Sequence, residues 1–167
     1  DVNPGETRCK ELLNLNVEDY DELYIRVSLY IAEHSLPRCG ELGTECPLML
    51  RMSYQNADQR DAGQGARGDW IHGFYSHDGG APANWPQRCS NCTGDHDRVN
   101  QGTWYTYISQ DFIGGLSANQ QGLRPVEIYD IEFYAGGHKY DVYVGEVSIL
   151  GRRGDGQLEN VVGMSLD

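Results

Sequence analysis

The sequence predicts an all-β chain folded as a two-sheet β-sandwich of the jelly-roll kind, with about eight strands and long loops stapled by disulfides. Three observations point there. Apolar residues recur with a period of two at Leu23, Ile25, Val27, Leu29 and Ile31, the mark of a strand with one buried face. The same period runs through Val142 and Val144, then resumes one residue out of phase at Val147 and Ile149. A phase slip at Gly145-Glu146 inside one strand marks a β-bulge. Composition agrees: 21 Gly, and 11 Tyr against 3 Phe, favour strands joined by turns over helices.

A length of 167 residues suits one domain with a substantial core. The expected unit is a single sandwich over residues 1–167, with 1–11 and 157–167 as extended arms. Asp1 in the place of an initiating Met suggests a processed or excised product.

Each element can be justified in order. Residues 1–11 are polar and aperiodic; Leu13, Leu15 and Val17 alternate as a first strand. Leu23 to Ile31 is the clearest amphipathic strand, and Leu48, Leu50, Met52 and Tyr54 form the next. Residues 55–69 carry no apolar period and read as a long, exposed hairpin loop. Trp70, His72 and Phe74 return, followed by a long irregular segment over residues 76–100. Trp104, Thr106 and Ile108 alternate as a strand, and residues 109–125 read as a further loop. Val126 to Ala135 is a strand with Tyr129, Ile131 and Phe133 on one side. Gly136-Gly137 turns into the bulged strand, residues 151–156 form a polar turn, and Val162, Met164 and Leu166 make a last strand. No stretch reads as a convincing helix.

Five cysteines are present. Cys39 and Cys46 flank a short turn, so a hairpin-tip disulfide between them is sterically easy; Cys89 and Cys92 flank Ser90-Asn91, and pairing across the two clusters stays open. The competing arrangement is one Zn²⁺ held by all four. The Cys89/Cys92 spacing suits zinc, whereas six residues between Cys39 and Cys46 exceed the usual two to four. Disulfides are expected, which places the chain outside the cell or at its surface. Cys9 is left as an unpaired thiol.

A formal net charge of −12 disfavours nucleic acid and anionic membrane surfaces. No run of 18 apolar residues occurs, so no membrane-inserting helix is expected. Neutral glycans, cations and other proteins remain as partners.

Two segments carry a resemblance. Val99 to Tyr107, with Gly102-Thr103-Trp104 entering a strand, resembles a step of galactose-binding-like jelly rolls, the fold of many carbohydrate-binding modules of glycoside hydrolases. Glu127 to Ala135 followed by Tyr140 to Leu150 resembles their final hairpin, and Leu15 to Ile31 their second-strand entry. The likeness covers about half the chain and lies at the level of the fold. It implies a glycan ligand and a structural Ca²⁺ near the bulge, with Glu146 and Asp141 as the carried-over ligands; the family often has two acids at that bulge where this chain has one.

Glycan binding needs flat aromatic faces with polar groups around them. Trp85, in the loop Pro82-Ala83-Asn84-Trp85-Pro86, is the first choice for an exposed platform, with Tyr75 and Tyr107 beside it as ligand-binding rings. Trp70 and Trp104 lie in strand phase and are expected in the core, while Tyr105, Tyr107, Tyr129 and Tyr143 are on the opposite phase and make a second candidate face for a glycan or a protein. Asp95-His96-Asp97 is the densest titratable cluster, and with His77 it could form a metal site between loops. Adjacent strand residues point apart, however, and no nucleophile, zinc-protease or phosphate-loop motif occurs. No enzymatic activity is expected. Arg67-Gly68-Asp69 and Arg153-Gly154-Asp155 are expected in turns, and Asn91-Cys92-Thr93 fits an N-glycosylation acceptor.

The expected function is a secreted, non-catalytic module that binds glycans at a surface. The rival is a structural subunit of an extracellular filament or other homopolymer, its terminal strands contacting like subunits.

Overall fold

A computed structural model describes residues 5–63, 68–119 and 124–165. Among the described residues nine strands form two sheets: β1 (Glu6–Asn16), β2 (Glu22–His34), β3 (Leu48–Asn56), β4 (Gly68–Tyr75), β5 (Asp97–Arg98), β6 (Tyr105–Ile108), β7 (Pro125–Gly136), β8 (Tyr140–Arg152) and β9 (Glu159–Ser165). The five-stranded sheet has the order β1-β7-β3-β4-β5 and the four-stranded sheet β6-β2-β8-β9. All pairs are antiparallel except β4 with β5. This is the two-sheet β-sandwich that the period-two pattern predicts.

The core lies between the sheets. Leu23, Ile25, Val27, Leu29 and Ile31 of β2 are all buried and face Leu48, Leu50, Met52 and Tyr54 of β3 within one cluster. Alternation places each of these sets on one face of its strand. The bulge in β8 is where the phase slip puts it: Val27 pairs with Val147 and Leu29 with Val144, so Ser28 alone opposes Gly145 and Glu146.

Several expectations change. Residues 6–11, read as aperiodic, belong to β1, which pairs with β7 as an edge strand. An outward-facing edge has no greasy side to leave a period. Residues 159–165 likewise pair with β8, so both arms lie on their own sandwich where they are described; residues 1–4, and with them the tip of the first arm, lie outside the described residues, as does Leu166. The loops hold two short helices, α1 (Ala57–Asp61) and α2 (Phe112–Asn119). β7 and β8 are not a hairpin, because Gly136-Gly137 carries the chain from one sheet to the other. Tyr129 falls opposite a register shift between Ser53 and Tyr54, which takes it out of phase with Ile131 and Phe133.

A second, smaller apolar cluster sits on the outer face of the five-stranded sheet. It comprises Cys39, Cys46, Met49, Ile71, Tyr75 and Cys89. Two disulfide-closed loops roof it, Cys39–Cys46 and Cys89–Cys92, so each pair bridges locally and the pairing left open by the sequence is settled. Cys9 on β1 is free and exposed.

Candidate functional site

The outer face of the four-stranded sheet collects the residues of β2 that point away from the core, among them Arg26, Ser28 and Tyr30. Trp104 precedes β6 and lies beside Tyr30, with ring centroids 5.6 Å apart. Tyr143 of β8 meets the same Tyr30 edge-on at 6.1 Å. Trp104 is 58% exposed and Tyr143 53% exposed, so two large rings present faces to solvent around a half-buried third. Gly145 sits under the Trp104 ring: a Cβ there would come within 3.3 Å of Trp104 Cζ3. The bulge glycine thus lets the indole lie close to the sheet. Ser28 and Thr106 supply hydroxyls on the same face, 3.5 Å apart. The result is an exposed aromatic cluster, with Trp104 and Tyr143 tilted 46° and 67° from Tyr30 and hydroxyl groups beside them.

β6 separates this face from a cleft on its inner side. The cleft has a volume of about 440 Å³ and opens where the two sheets end, between β4, β6 and α2. Trp70, His72 and Tyr107 stack along its wall, with His72 between the other two at 5.7 and 5.0 Å. Asp97 approaches His72 Nε2 at 3.3 Å, and Asp95 also lines the opening. Burial, with Asp97 beside it, pushes the Tyr107 phenol well above its usual range. Asp111, a third carboxylate of the lining, is already engaged. It accepts from the backbone N–H groups of Leu23 at 3.1 Å, Ile113 at 3.1 Å and Gly114 at 2.9 Å.

The structure redistributes the residues singled out from the sequence. Tyr75 and Tyr107 are both buried, so neither offers a ring face to solvent; Tyr107 reaches a ligand only through the cleft. Trp85 is half-buried in its loop, where its carbonyl accepts from Arg38 Nη1 at 2.9 Å. It stands apart from both features. Trp70 is in the core, as expected, but Trp104 is not. β6 carries bulky residues on both phases, and the inward phase is Tyr105 and Tyr107, facing Leu29 and Val27 across the pair with β2.

Asp141 and Glu146 are exposed on β8, five residues and roughly 16 Å apart along an extended strand. They do not converge on one ion, so the implied Ca²⁺ site does not fit here. Among the described residues, the groups of three or more close metal-ligating atoms consist of cysteine sulfurs and His96. The cluster Asp95-His96-Asp97 splits, as alternation requires: Asp95 and Asp97 face the cleft while His96 turns away beneath the disulfide loops. His77 does not join it, packing on His34 at 4.6 Å and donating from Nε2 to the His34 carbonyl at 3.0 Å. Of the Arg-Gly-Asp triplets, Gly68 and Asp69 begin β4 instead of forming a turn, and Arg67 lies outside the described residues. Gly154 does occupy a turn, with φ +52°.

Tyr30 was the ring missed by sequence reasoning. Its signal was present: an aromatic residue on the polar phase of an otherwise clean amphipathic strand. Among the described residues, no helix is long and apolar enough to cross a membrane. Compared with models of protein families, with curated proteins and with solved structures, the chain matches none of them.

Proposed function

We propose that the chain is a non-catalytic carbohydrate-binding module of the galactose-binding-like kind, holding a neutral glycan across the outer face of its four-stranded sheet. The exposed indole of Trp104, with Tyr30 and Tyr143 beside it, carries this reading. Sugar C–H faces pack on such rings, and the Ser28 and Thr106 hydroxyls stand where ligand hydroxyls would pair. A net charge of −12 selects against anionic polymers and leaves neutral ones unpenalised. Two disulfides suit an oxidising, extracellular setting.

Calorimetric titration with a panel of soluble neutral polysaccharides tests this. Binding is expected for at least one, with affinity lost about tenfold or more in Trp104→Ala and retained in Trp85→Ala. Binding that depends on Asp97→Asn and not on Trp104 would move the ligand to the cleft. No binding across the panel removes the proposal.

The alternative, a subunit of a homopolymer, draws on β1, an eleven-residue strand at the end of its sheet. A sedimentation profile that stays monomeric with rising concentration would exclude it.

A further inference from the structure

We propose that His96, Cys39 and Cys46 form a latent site for a thiophilic divalent cation such as Zn²⁺, available when the disulfides are reduced. The ligand atoms of Cys39, Cys46 and His96 lie within 4.8 Å of one another, and so do those of Cys89, Cys92 and His96. The imidazole therefore stands between two pairs of sulfurs.

The hydrogen bonding of His96 determines which nitrogen is available. Nε2 lies 2.8 Å from the carbonyl of Gly43, which can only accept, so Nε2 carries the proton. In the neutral ring Nδ1 is then a bare lone pair. His96 is 5% exposed, and its Nδ1 is buried with no hydrogen-bond partner among the described residues. A lone pair left orphaned in the interior costs stability unless something uses it. It points to the sulfur side: a Cβ placed on Gly73 would touch both Cys46 Sγ, at 2.3 Å, and His96 Nδ1, at 2.9 Å. Gly73 is thus the floor on which imidazole and thiol meet. A carbonyl acceptor on one nitrogen and a metal on the other is the usual arrangement of a ligating histidine.

The two loops are held together without a covalent link. Gly43, at φ +69°, has the backbone of Arg88 and Cys89 within 3 Å of where its Cβ would be. That close docking brings the Cys39–Cys46 loop against the Cys89–Cys92 loop. Cys92 Sγ lies 3.8 Å from His96 Nε2 on the far side of the ring. Cys39, Cys46 and His96 Nδ1 supply three ligands on one side of the ring, and water fills the fourth position of a tetrahedron. The spacing Cys89-x-x-Cys92-x-x-x-His96 is visible in the sequence, but the part played by His96 is not, because Cys39 and Cys46, the sulfurs that share its Nδ1 side, lie fifty or more residues away in the chain.

Disulfide and metal are exclusive uses of the same sulfurs. A phosphine reductant converts each disulfide to two thiols, taking up the oxygen of one water as the phosphine oxide. Each thiol that coordinates then gives its proton to the buffer.

The experiment uses the full chain in a Cys9→Ser background, which removes the unrelated thiol. Oxidised and phosphine-reduced protein are titrated anaerobically with Co²⁺, then with Zn²⁺. Reduced protein is expected to develop the visible bands of tetrahedral cobalt–thiolate at one ion per chain, bleached by Zn²⁺; oxidised protein is expected to show none. Reduced His96→Gln, whose amide can still donate to Gly43, should bind at least tenfold more weakly, and Cys46→Ser likewise. Zn²⁺ should also raise the melting temperature of the reduced protein, or fold it if reduction alone unfolds it. Equal cobalt spectra in both redox states, unchanged affinity in His96→Gln, or a reduced chain that Zn²⁺ neither binds nor stabilises would each overturn the proposal.

Discussion

Trp104 rests on Gly145: the nearest ring carbon, Cζ3, stands only 3.3 Å from where a Cβ on residue 145 would be, and Cη2 stands at 3.5 Å. The β8 bulge and the aromatic face are therefore one device. Gly145→Val should lift the indole off the sheet while leaving the core below untouched. Trp104 should become more accessible to a soluble quencher, and glycan affinity should fall about tenfold, ~1.4 kcal/mol. Stability should move by no more than about 1 kcal/mol, since Ser28 and the ring both border solvent. An unchanged affinity with a displaced ring would detach the bulge from binding.

Glu132 of β7 is 3% exposed, and two cations reach it: Arg51 of β3 at 2.6 Å and Arg8 of the edge strand β1 at 3.2 Å. Lys10 of β1 similarly covers buried Asp130 at 2.8 Å. The edge strand that looks polar and aperiodic in sequence therefore lays its charges over two carboxylates of its neighbour. Arg51→Met leaves Glu132 with half its compensation and should cost about 3 kcal/mol in urea unfolding. The double variant Arg51→Met with Glu132→Leu should recover most of that loss.

What the sequence revealed follows from where each strand lies. β2 was legible from Leu23 to Ile31 because one face meets the core and the other meets water. β8 disclosed its bulge because both halves keep a buried face across the slip. β1 was invisible over residues 6–11 because its inward partners are charges, which leave no apolar period. β6 was read in the wrong phase because Trp104, Tyr105, Tyr107 and Ile108 put bulk on both sides. The helix α1 has its signal in Asn56 and Gln59, a reciprocal capping box, but spans only five residues. Gly114-Gly115 hid α2 by lowering helix propensity in its middle. The cleft and the pairing of His96 with cysteines required contacts between distant segments, which no local pattern encodes.

Asp111 ties α2 to β2. Its carboxylate takes three backbone N–H groups, those of Leu23, Ile113 and Gly114, and its own carbonyl accepts from Gly115 at 2.9 Å. The side chain thus caps the helix and pins it to the first residues of the central strand. Asp111→Ala should cost about 1–2 kcal/mol, the upper end of a capping loss, because the Leu23 N–H is orphaned as well. Differential scanning calorimetry would show it, and hydrogen exchange should rise across residues 111–116 before the rest of the sheet. A shift confined to other segments would mean that the cap is dispensable.

Acid should destabilise this protein through His34. The ring is buried at the end of β2, its Nδ1 accepts from the Ser76 N–H at 3.0 Å, and its Nε2 has no hydrogen-bond partner among the described residues. His77 packs against it at 4.6 Å and Tyr140 at 5.7 Å. Burial first, and then the neighbouring His77, push its pKa down to about 4. In the unfolded chain the same imidazole takes its proton near pH 6.5. Between those values the unfolded state binds the extra proton and the folded state does not, so stability rises with pH. The contribution is complete above about pH 6.5 and is lost as pH falls towards about 4. Its size is about 2–3 kcal/mol, discounted from the full shift because the ring is not wholly shielded. Urea midpoints for the native chain should drop between pH 7 and pH 4.5. His34→Gln cannot titrate, so its midpoint should fall less over the same interval, even though it starts lower from the lost packing. Parallel pH profiles for the two proteins would show that acid acts through the carboxylates alone.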